Sequence, residues 1–289
     1  MGLAFTLAYK AGVNFTDVMG TTSIWDSIVY RELNKKRVAV PPMKSREDLA
    51  RQTVAFAGGY VKEPQIGMHE WVVSFDLNSL YPNIIAQWNM SPETIVSNME
   101  MDVDGDYAQA ANNSHYSKDF EGIMPQIIVD YYAERKIVKN QMLAAQKKYQ
   151  KNKSVELERE IVRCENRQMA IKILLNSLFG ALGNKWYRYF DLRIAEGITL
   201  TGQKVIKWCE AAVNTELNKL LNTDKDYVIA IDTDSVYVNF SGLVEKFNPK
   251  DPVQFLSKIC EDHFNPMFER SMQALFEQTN AYQNRMVME

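Results

Sequence analysis

The most constraining feature of this chain is a pair of long helical segments set back to back. Pro125, acceptable in the first turn of a helix, opens the first segment, which runs to about Lys151. Asn152-Lys153-Ser154 forms a turn. Ser154 is placed to cap a second helix whose first turn carries Glu156 and Glu158, where the helix dipole favours acids. That helix runs to about Gly180. At 1.5 Å per residue each helix is roughly 40 Å long, and so short a turn between them makes an antiparallel helical hairpin. Strands flank it. Trp71-Val72-Val73-Ser74-Phe75 reads as a buried strand that delivers Asp76, and Pro82 lies in the first turn of a helix continuing through Ile84-Ile85. Tyr227 to Ile231 forms another strand, Asp232-Thr233-Asp234 a tight turn, and Ser235 to Phe240 a return strand. The fold class is therefore α+β, with the hairpin projecting from a sheet.

The remaining segments are less informative. Residues 1–35 read as helical with a break at Asn14-Phe15-Thr16, and Pro41-Pro42 with a charged stretch to Arg51 reads as a connector. Residues 97–122, with Asp102, Asp104, Asp106 and Asn112-Asn113, read as a surface loop or small insertion. Residues 192–221 and 252–280 read as helices, and Arg285 to Met288 as the start of a strand for which no later partner follows.

Net charge is -3, so nucleic-acid binding would require locally clustered basic groups. Cys164, Cys209 and Cys260 are too scattered for a zinc site and odd in number for a disulfide framework, and His69, His115 and His263 are equally scattered. The default compartment is reducing. Nothing in the sequence is long and apolar enough to span a membrane. Met1-Gly2 with Thr6 fits the loose myristoylation pattern, but the apolar residues there read better as the start of a packed helix.

Asp-x-Asp in a turn, taken alone, reads first as a solvated hairpin tip. The context changes this, because five residues that look buried on both faces precede Asp232. Two carboxylates 4 Å apart repel by about 4 kcal/mol at an effective dielectric near 20, and a divalent cation removes that cost. Oxygen ligands without nearby His or Cys favour Mg²⁺ or Mn²⁺ over zinc. Carboxylates on two strands, Asp76 and Asp232, are suited to clamping two such ions for an in-line phosphoryl transfer.

On the hairpin, Arg135 and Lys139 are four apart on the first helix; Lys172 and Asn176 are four apart on the second, with Phe179 three further on. These stripes fit a phosphate-binding wall, and equally a solvated helix face. Arg159, Arg163 and Arg167 also repeat at four and read as solvated, or as contacts to a template strand.

Three motifs carry a resemblance. Asp76-Leu77-Asn78-Ser79-Leu80-Tyr81-Pro82 resembles the first palm motif of family-B DNA polymerases. Lys172 to Gly180, Lys-Ile-Leu-Leu-Asn-Ser-Leu-Phe-Gly, resembles the fingers motif, and Asp232-Thr233-Asp234-Ser235 the third motif. Val61-Lys62-Glu63-Pro64, Ser91-Pro92-Glu93-Thr94 and Arg188-Tyr189-Phe190-Asp191-Leu192-Arg193 resemble segments of replicative polymerases of T-even-like bacteriophages.

The resemblance implies roles. Asp76 and Asp232 would hold two Mg²⁺ ions, with Mn²⁺ as a substitute, helped by the Leu77 carbonyl, and Asp234 would play a secondary part. Backbone amides of Ser79, Leu80 and Tyr81 would meet the triphosphate tail of a deoxynucleoside triphosphate. Arg135, Lys139 and Lys172 would hold its phosphates, supported by Asn176. Tyr81 would lie under the incoming sugar, and Phe179 and Gly180 would face the nascent base pair. Phe56-Ala57-Gly58-Gly59 resembles a template-strand motif, so Gly58 and Gly59 would approach the DNA.

The implied architecture is a discontinuous polymerase palm, an antiparallel sheet with helices, plus a helical-hairpin fingers domain. Residues 1–59 form a connector following a missing exonuclease domain, 60–117 the first part of the palm, 118–180 the fingers, and 181–289 the second part of the palm, which stops before the primer grip and thumb. The implied setting is the cytoplasm of an infected bacterial host, and the implied partners are primer-template DNA and dNTP; the chain would be the palm and fingers of a split or a truncated polymerase, with a second chain carrying the primer grip and thumb in the split case. A non-catalytic folded fragment that binds DNA or a partner polymerase chain is the alternative. A metal-dependent phosphohydrolase fits the aspartates but leaves the fingers motif unexplained. Phe179, Ala230 and Ile231 depart from the family pattern, which usually has Tyr, Tyr and Gly there.

Overall fold

A computed structural model describes residues 2–45, 47, 55–97, 101–102 and 105–289. Most of the charged connector expected after Pro42, and Asp104, lie outside the described residues. In chain order the elements are α1 (Gly2–Ala11), α2 (Thr21–Lys35), β1 (Val61–Lys62), β2 (Val72–Asp76), α3 (Leu80–Gln87), β3 (Ile95–Val96), β4 (Tyr107–Gln109) and β5 (His115–Ser117). There follow α4 (Ile123–Lys151), α5 (Val155–Leu182), α6 (Leu192–Leu221), β6 (Val228–Asp232), β7 (Ser235–Asn239), α7 (Ser241–Phe247), α8 (Pro252–Ile259) and α9 (Asn265–Gln278). A 3₁₀ turn at Phe15–Asp17 separates α1 from α2, and a π turn at Cys260–Phe264 joins α8 to α9. The fold is α+β.

The chain divides into two compact units. One comprises Met1–Ala55, Met90–Thr94 and Phe120–Ala195. Its centre is the helical hairpin of α4 and α5. Two side chains cap the hairpin's starts: Glu93 Oε1 accepts from Ile123 N at 2.5 Å, and Ser154 Oγ accepts from Leu157 N at 3.2 Å. Cys164, Gln168, Ile171, Leu174, Leu175, Leu178 and Leu182 form the buried stripe of α5, spaced for one helix face. α1 and α2 pack against it. Trp25, fully buried on α2, donates from its indole to Ser177 Oγ at 2.9 Å, and Glu134 on α4 holds both Lys10 of α1 and Arg167 of α5.

The other unit comprises Phe56–Asn89, Ile95–Asp119 and Glu196–Glu289. It holds a four-stranded antiparallel sheet of order β1-β6-β7-β2 and a small sheet of order β3-β5-β4. Phe75, Phe240, Phe264 and Phe268 form an aromatic core beneath the larger sheet, with ring centroids 5.0–6.3 Å apart.

Four expectations change. The strand ending at Phe75 is not buried throughout: Phe75 is 2% exposed, but Val72 is 39% exposed, because only one face of β2 meets the core. The strand before Asp232 is likewise one-sided. Val228 and Ile231 are buried while Ile229 and Ala230 are partly exposed. A bulge between Val228 and Ala230 puts residues three apart on the same face. The polar stretch after Val96 folds into β4 and β5, which bury Ala108 and Tyr116. The last strand does find a partner, but an earlier one: Asp76 N donates to Glu289 O at 2.8 Å and Glu289 N to Asp76 O at 2.9 Å. Gln87, fully buried on α3, fixes this return by accepting from Arg285 N and Met286 N at 2.7 and 3.0 Å.

Candidate active site

Register builds the site in the sheet-bearing unit. Asp76 on β2 and Asp232 on β6 are both paired with Ser235 on β7. Directly opposed residues of a sheet share a face, so both carboxylates and the Ser235 hydroxyl stand in one row. Two cross-strand steps place the two aspartate Cα atoms about 10 Å apart, close enough for the carboxylates to reach toward a common ion. Ser235 Oγ donates to Asp76 Oδ1 at 2.6 Å, and Thr233 Oγ1 donates to Asp232 Oδ1 at 3.2 Å. Asp76 and Asp232 are exposed on this face, while Phe75, Ile231 and Val236 are buried on the other.

The turn between the aspartates is strained. Thr233 has φ 54°, an unusual conformation for a β-branched residue. Its N–H donates to Tyr60 O at 2.9 Å. Gly59 leaves room for the tip, because a Cβ there would sit 2.9 Å from the Thr233 side chain and 3.1 Å from the Tyr81 hydroxyl. Gln203 on α6 holds the Gly58 carbonyl at 2.7 Å, and Lys207 lies 4.3 Å over the Tyr60 ring. The Gly58-Gly59 segment is thus braced against α6 beside the Asp232 turn.

Asp234 is half-buried. Burial and the charges of Asp76 and Asp232 push its carboxyl above the usual carboxylate range. Leu77, fully buried, donates from its backbone to Asp234 O at 2.8 Å. Ser79 turns the chain from β2 into α3 with φ 49°. Leu80 is buried and Tyr81 half-buried, its ring edge 3.3 Å from where a Cβ on Gly202 would lie. Burial, and then the charge of Asp234, push the Tyr81 hydroxyl up.

Glu289 was missed in the sequence. It pairs with Asp76 through the two backbone bonds above and stands in the same row, with Asn78 Nδ2 donating to its Oε1 at 3.1 Å. The signal was the alternation of Met286, Val287, Met288 and Glu289, of which only the two methionines are buried.

Among the described residues no three His, Cys, Asp or Glu side chains form a metal cage. Asp76 and Asp232, both exposed, are a smaller donor set, whereas Leu77 is fully buried and its carbonyl is not presented beside them. Carboxylate oxygens fit Mg²⁺, which keeps several waters and is usually bound by one or two carboxylates plus substrate phosphates. Asp234 is raised first by burial and then by the charges of Asp76 and Asp232, and a cation would relieve that second part. Cys209 is fully buried, and its thiol is pushed up to about 12 by that burial. His69 and His263 are occupied with Gln65 O and Glu216 at 2.9 and 2.7 Å.

In the hairpin-bearing unit, Lys139, Lys172, Asn176 and Gly180 are exposed, and Arg135 and Phe179 are half-buried. Arg135 Nε is buried without a hydrogen bond. Lys172 and Asn176 lie on the face of α5 opposite its apolar stripe.

An antiparallel sheet presenting an Asp–Ser–Asp row, with a long helical hairpin inserted between its strands in the sequence, defines a class. The chain belongs to DNA polymerase family B, whose model matches residues 19–279. It is 30% identical to the DNA-directed DNA polymerase of Escherichia phage RB69 over its full length, and 30% identical to that of Enterobacteria phage T4 over 99% of it. It is also 30% identical to a DNA polymerase of Thermococcus gorgonarius over 88% of its length. The chain spans 38% of the length of each of the two phage relatives and 30% of the Thermococcus one. No helix among the described residues is long and apolar enough to cross a membrane.

Proposed function

We propose that this chain carries the nucleotidyl-transfer site of a phage DNA polymerase, with residues 60–117 and 181–289 as palm and 118–180 as fingers. One observation carries the reading: Asp76 and Asp232 flank Ser235 in register on one sheet face, in a chain of this family. Asp76 and Asp232 would hold the ions. When bound, two Mg²⁺ ions, or Mn²⁺, supply charge neutralisation of the attacking and leaving oxygens. The primer 3′-hydroxyl gives its proton to solvent water and attacks the α-phosphorus of a deoxynucleoside triphosphate; the bond to the bridging oxygen of the β-phosphate breaks and pyrophosphate leaves.

The chain's own residues position the reactants. Ser235 orients Asp76, and Thr233 orients Asp232. The amides of Ser79, Leu80 and Tyr81 take the triphosphate tail; Arg135, Lys139 and Lys172 hold its phosphates, with Asn176 in support. Tyr81 forms the floor under the sugar, Phe179 and Gly180 meet the nascent pair, and Gly58 and Gly59 lie along the template. The chain works on primer-template DNA in the cytoplasm of an infected bacterium.

The test is single-nucleotide primer extension in Mg²⁺, with the chain alone and with a thumb-bearing polymerase chain. Extension in either case supports the reading. No extension in either case makes the chain a non-catalytic fragment.

A further inference from the structure

Negative charge stops abruptly along the helical hairpin. From Arg135 to Val155 the sequence holds seven Lys or Arg and no Asp or Glu, in a chain whose net charge is -3. Arg135 and Lys139 belong to the triphosphate wall proposed above. The other five, Lys136, Lys147, Lys148, Lys151 and Lys153, are exposed, and among the described residues none of them forms an ion pair. Lys136, Lys147 and Lys151 stand with Asn140 and Leu143 on one face of α4, opposite the buried Val138 and Ala145. At 1.5 Å per residue that line is about 22 Å long. α4 packs on α5 and on α2, and the named contacts of α2 fall at Gln126 and Tyr131, before the line begins.

A solvated helix face needs charge, but not charge of one sign. α5 supplies the comparison, because its outer half belongs to the same hairpin. There the exposed charges mix: Glu156, Glu158, Arg159, Arg163, Glu165 and Arg167, the pattern of an ordinary solvated face. On α4, Lys147 and Lys151 are four apart and Lys136 and Lys139 three apart, like-charge spacings that weaken a helix. The helix dipole accounts for Lys148 and Lys151, which lie in the last turn. It does not account for Lys136 or Lys147. A polyanion laid along the face would remove the repulsion. Each strand of a DNA duplex carries a phosphate about every 3.4 Å of axis, so about six phosphates fall within the length of the line. Lysine, a point charge on a flexible stem, suits backbone contacts that read no sequence.

We infer that the outer face of α4, from Lys136 to Lys151, is a second nucleic-acid contact, separate from the nucleotidyl-transfer site, that holds the phosphodiester backbone of DNA without regard to sequence. The inference takes from the proposed function only that the chain acts on DNA. Lys136, Lys147, Lys148 and Lys151 make the phosphate contacts, and the counterions they displace supply the affinity. The contact keeps the chain on DNA and takes no part in the chemistry.

The test is DNA binding without Mg²⁺ or nucleotide, so it fails separately from the metal site: Asp76→Asn should leave it intact. Fluorescein-labelled oligonucleotides of mixed sequence, single-stranded and duplex, are titrated with the full chain by anisotropy over a series of salt concentrations. One variant carries Lys136→Gln, Lys147→Gln, Lys148→Gln and Lys151→Gln together. A control carries Arg159→Gln and Arg163→Gln on the mixed face of α5. The four-lysine variant should bind about tenfold more weakly at low salt. Its plot of log affinity against log salt should be shallower by about two, since each lost phosphate contact removes about 0.9 from the slope on duplex and about 0.7 on a single strand. The same four positions changed to Arg should restore both. Single-nucleotide insertion at saturating DNA should be unchanged in the four-lysine variant. A loss with either form of DNA supports the contact, and the form that shows it is the one held. Unchanged affinity and slope overturn the inference. So does an equal loss per charge in the α5 control, which would make the effect one of overall charge. Polyglutamate competing as well as DNA at equal charge also overturns it and assigns the face to an acidic polypeptide.

Discussion

The two compact units place their candidate residues by opposite means. In the hairpin-bearing unit, Lys139 on α4 and Lys172 and Asn176 on α5 stand on solvated helix faces, and the apolar stripe of α5 sets where the latter two lie. Helical periodicity alone orients them, and no neighbour need move if one is removed. In the sheet-bearing unit, Asp76 and Asp232 depend on strand register, on a bulge at Ile229 and on a strained Thr233. Here a change at one residue is felt by the next. The difference teaches that the helical residues should behave as separable contacts and the sheet residues as a coupled group.

The largest expected effect on the helical side is at Lys172. Lys172→Ala should lower the efficiency of nucleotide use by about a hundredfold, the scale of losing a charge-assisted phosphate contact. Its melting temperature should stay within about 2 °C, because surface changes are usually within ±0.5 kcal/mol. Arg163→Ala, exposed on the same helix, should leave both unchanged. Equal losses for the two variants, read by single-nucleotide insertion, would dissolve the distinction between a phosphate wall and a solvated face.

Tyr81 is the sharper probe of the sheet side. Tyr81→Ala should raise ribonucleotide over deoxyribonucleotide insertion by about tenfold, since a packed floor accommodates a 2′-hydroxyl poorly. A core aromatic would instead cost ~3–5 kcal/mol of stability with an unchanged ratio. The half-buried ring beside Gly59 and Gly202 fits the floor.

Gly59→Ala comes next in size. Its Cβ would press on Thr233, so insertion should fall several-fold, with a cost of about 1 kcal/mol in stability. An Ala variant with unchanged kinetics would show that the Asp232 turn is not coupled to this segment.

The smallest effect belongs to Glu134. Burial works to raise its carboxyl, but hydrogen bonds and charge from Lys10 and Arg167 win, holding it below the usual carboxylate range. A lowered folded-state value contributes stability above the ordinary carboxylate range, lost as pH falls through the folded value. Glu134→Gln should therefore cost about 1 kcal/mol near pH 7 and nothing once the pH is low enough to protonate the native glutamate. Chemical denaturation across pH checks this, and a pH-independent cost would contradict it.

What was legible in the sequence follows the same division. The hairpin, its Ser154 cap and its stripes were readable because helical period and capping are local properties. The strand ends at Asp76 and Asp232 were readable too. Their common neighbour Ser235 was not, because register across strands far apart in sequence leaves no local mark. The bulge at Ile229 hid the one-sided burial of β6, since apolar residues in a row look buried on both faces. Glu289 escaped because its partner strand lies more than two hundred residues earlier, held there by a buried Gln87 that reads as an ordinary helix residue. The polar insertion around Tyr116 was masked by its own composition.

The central claim is that Asp76 and Asp232 act together at a nucleotidyl-transfer site. The most direct measurement is single-nucleotide insertion by Asp76→Asn and Asp232→Asn in Mg²⁺, with any thumb-bearing chain present, alongside thermal unfolding. Each variant should lose about a thousandfold in rate, the scale of removing a principal charge stabiliser. Both carboxylates are exposed, so melting temperatures should hold. The double variant should be no slower than either single one, because residues acting as a unit are not additive. Near-normal insertion by either single variant would contradict the account.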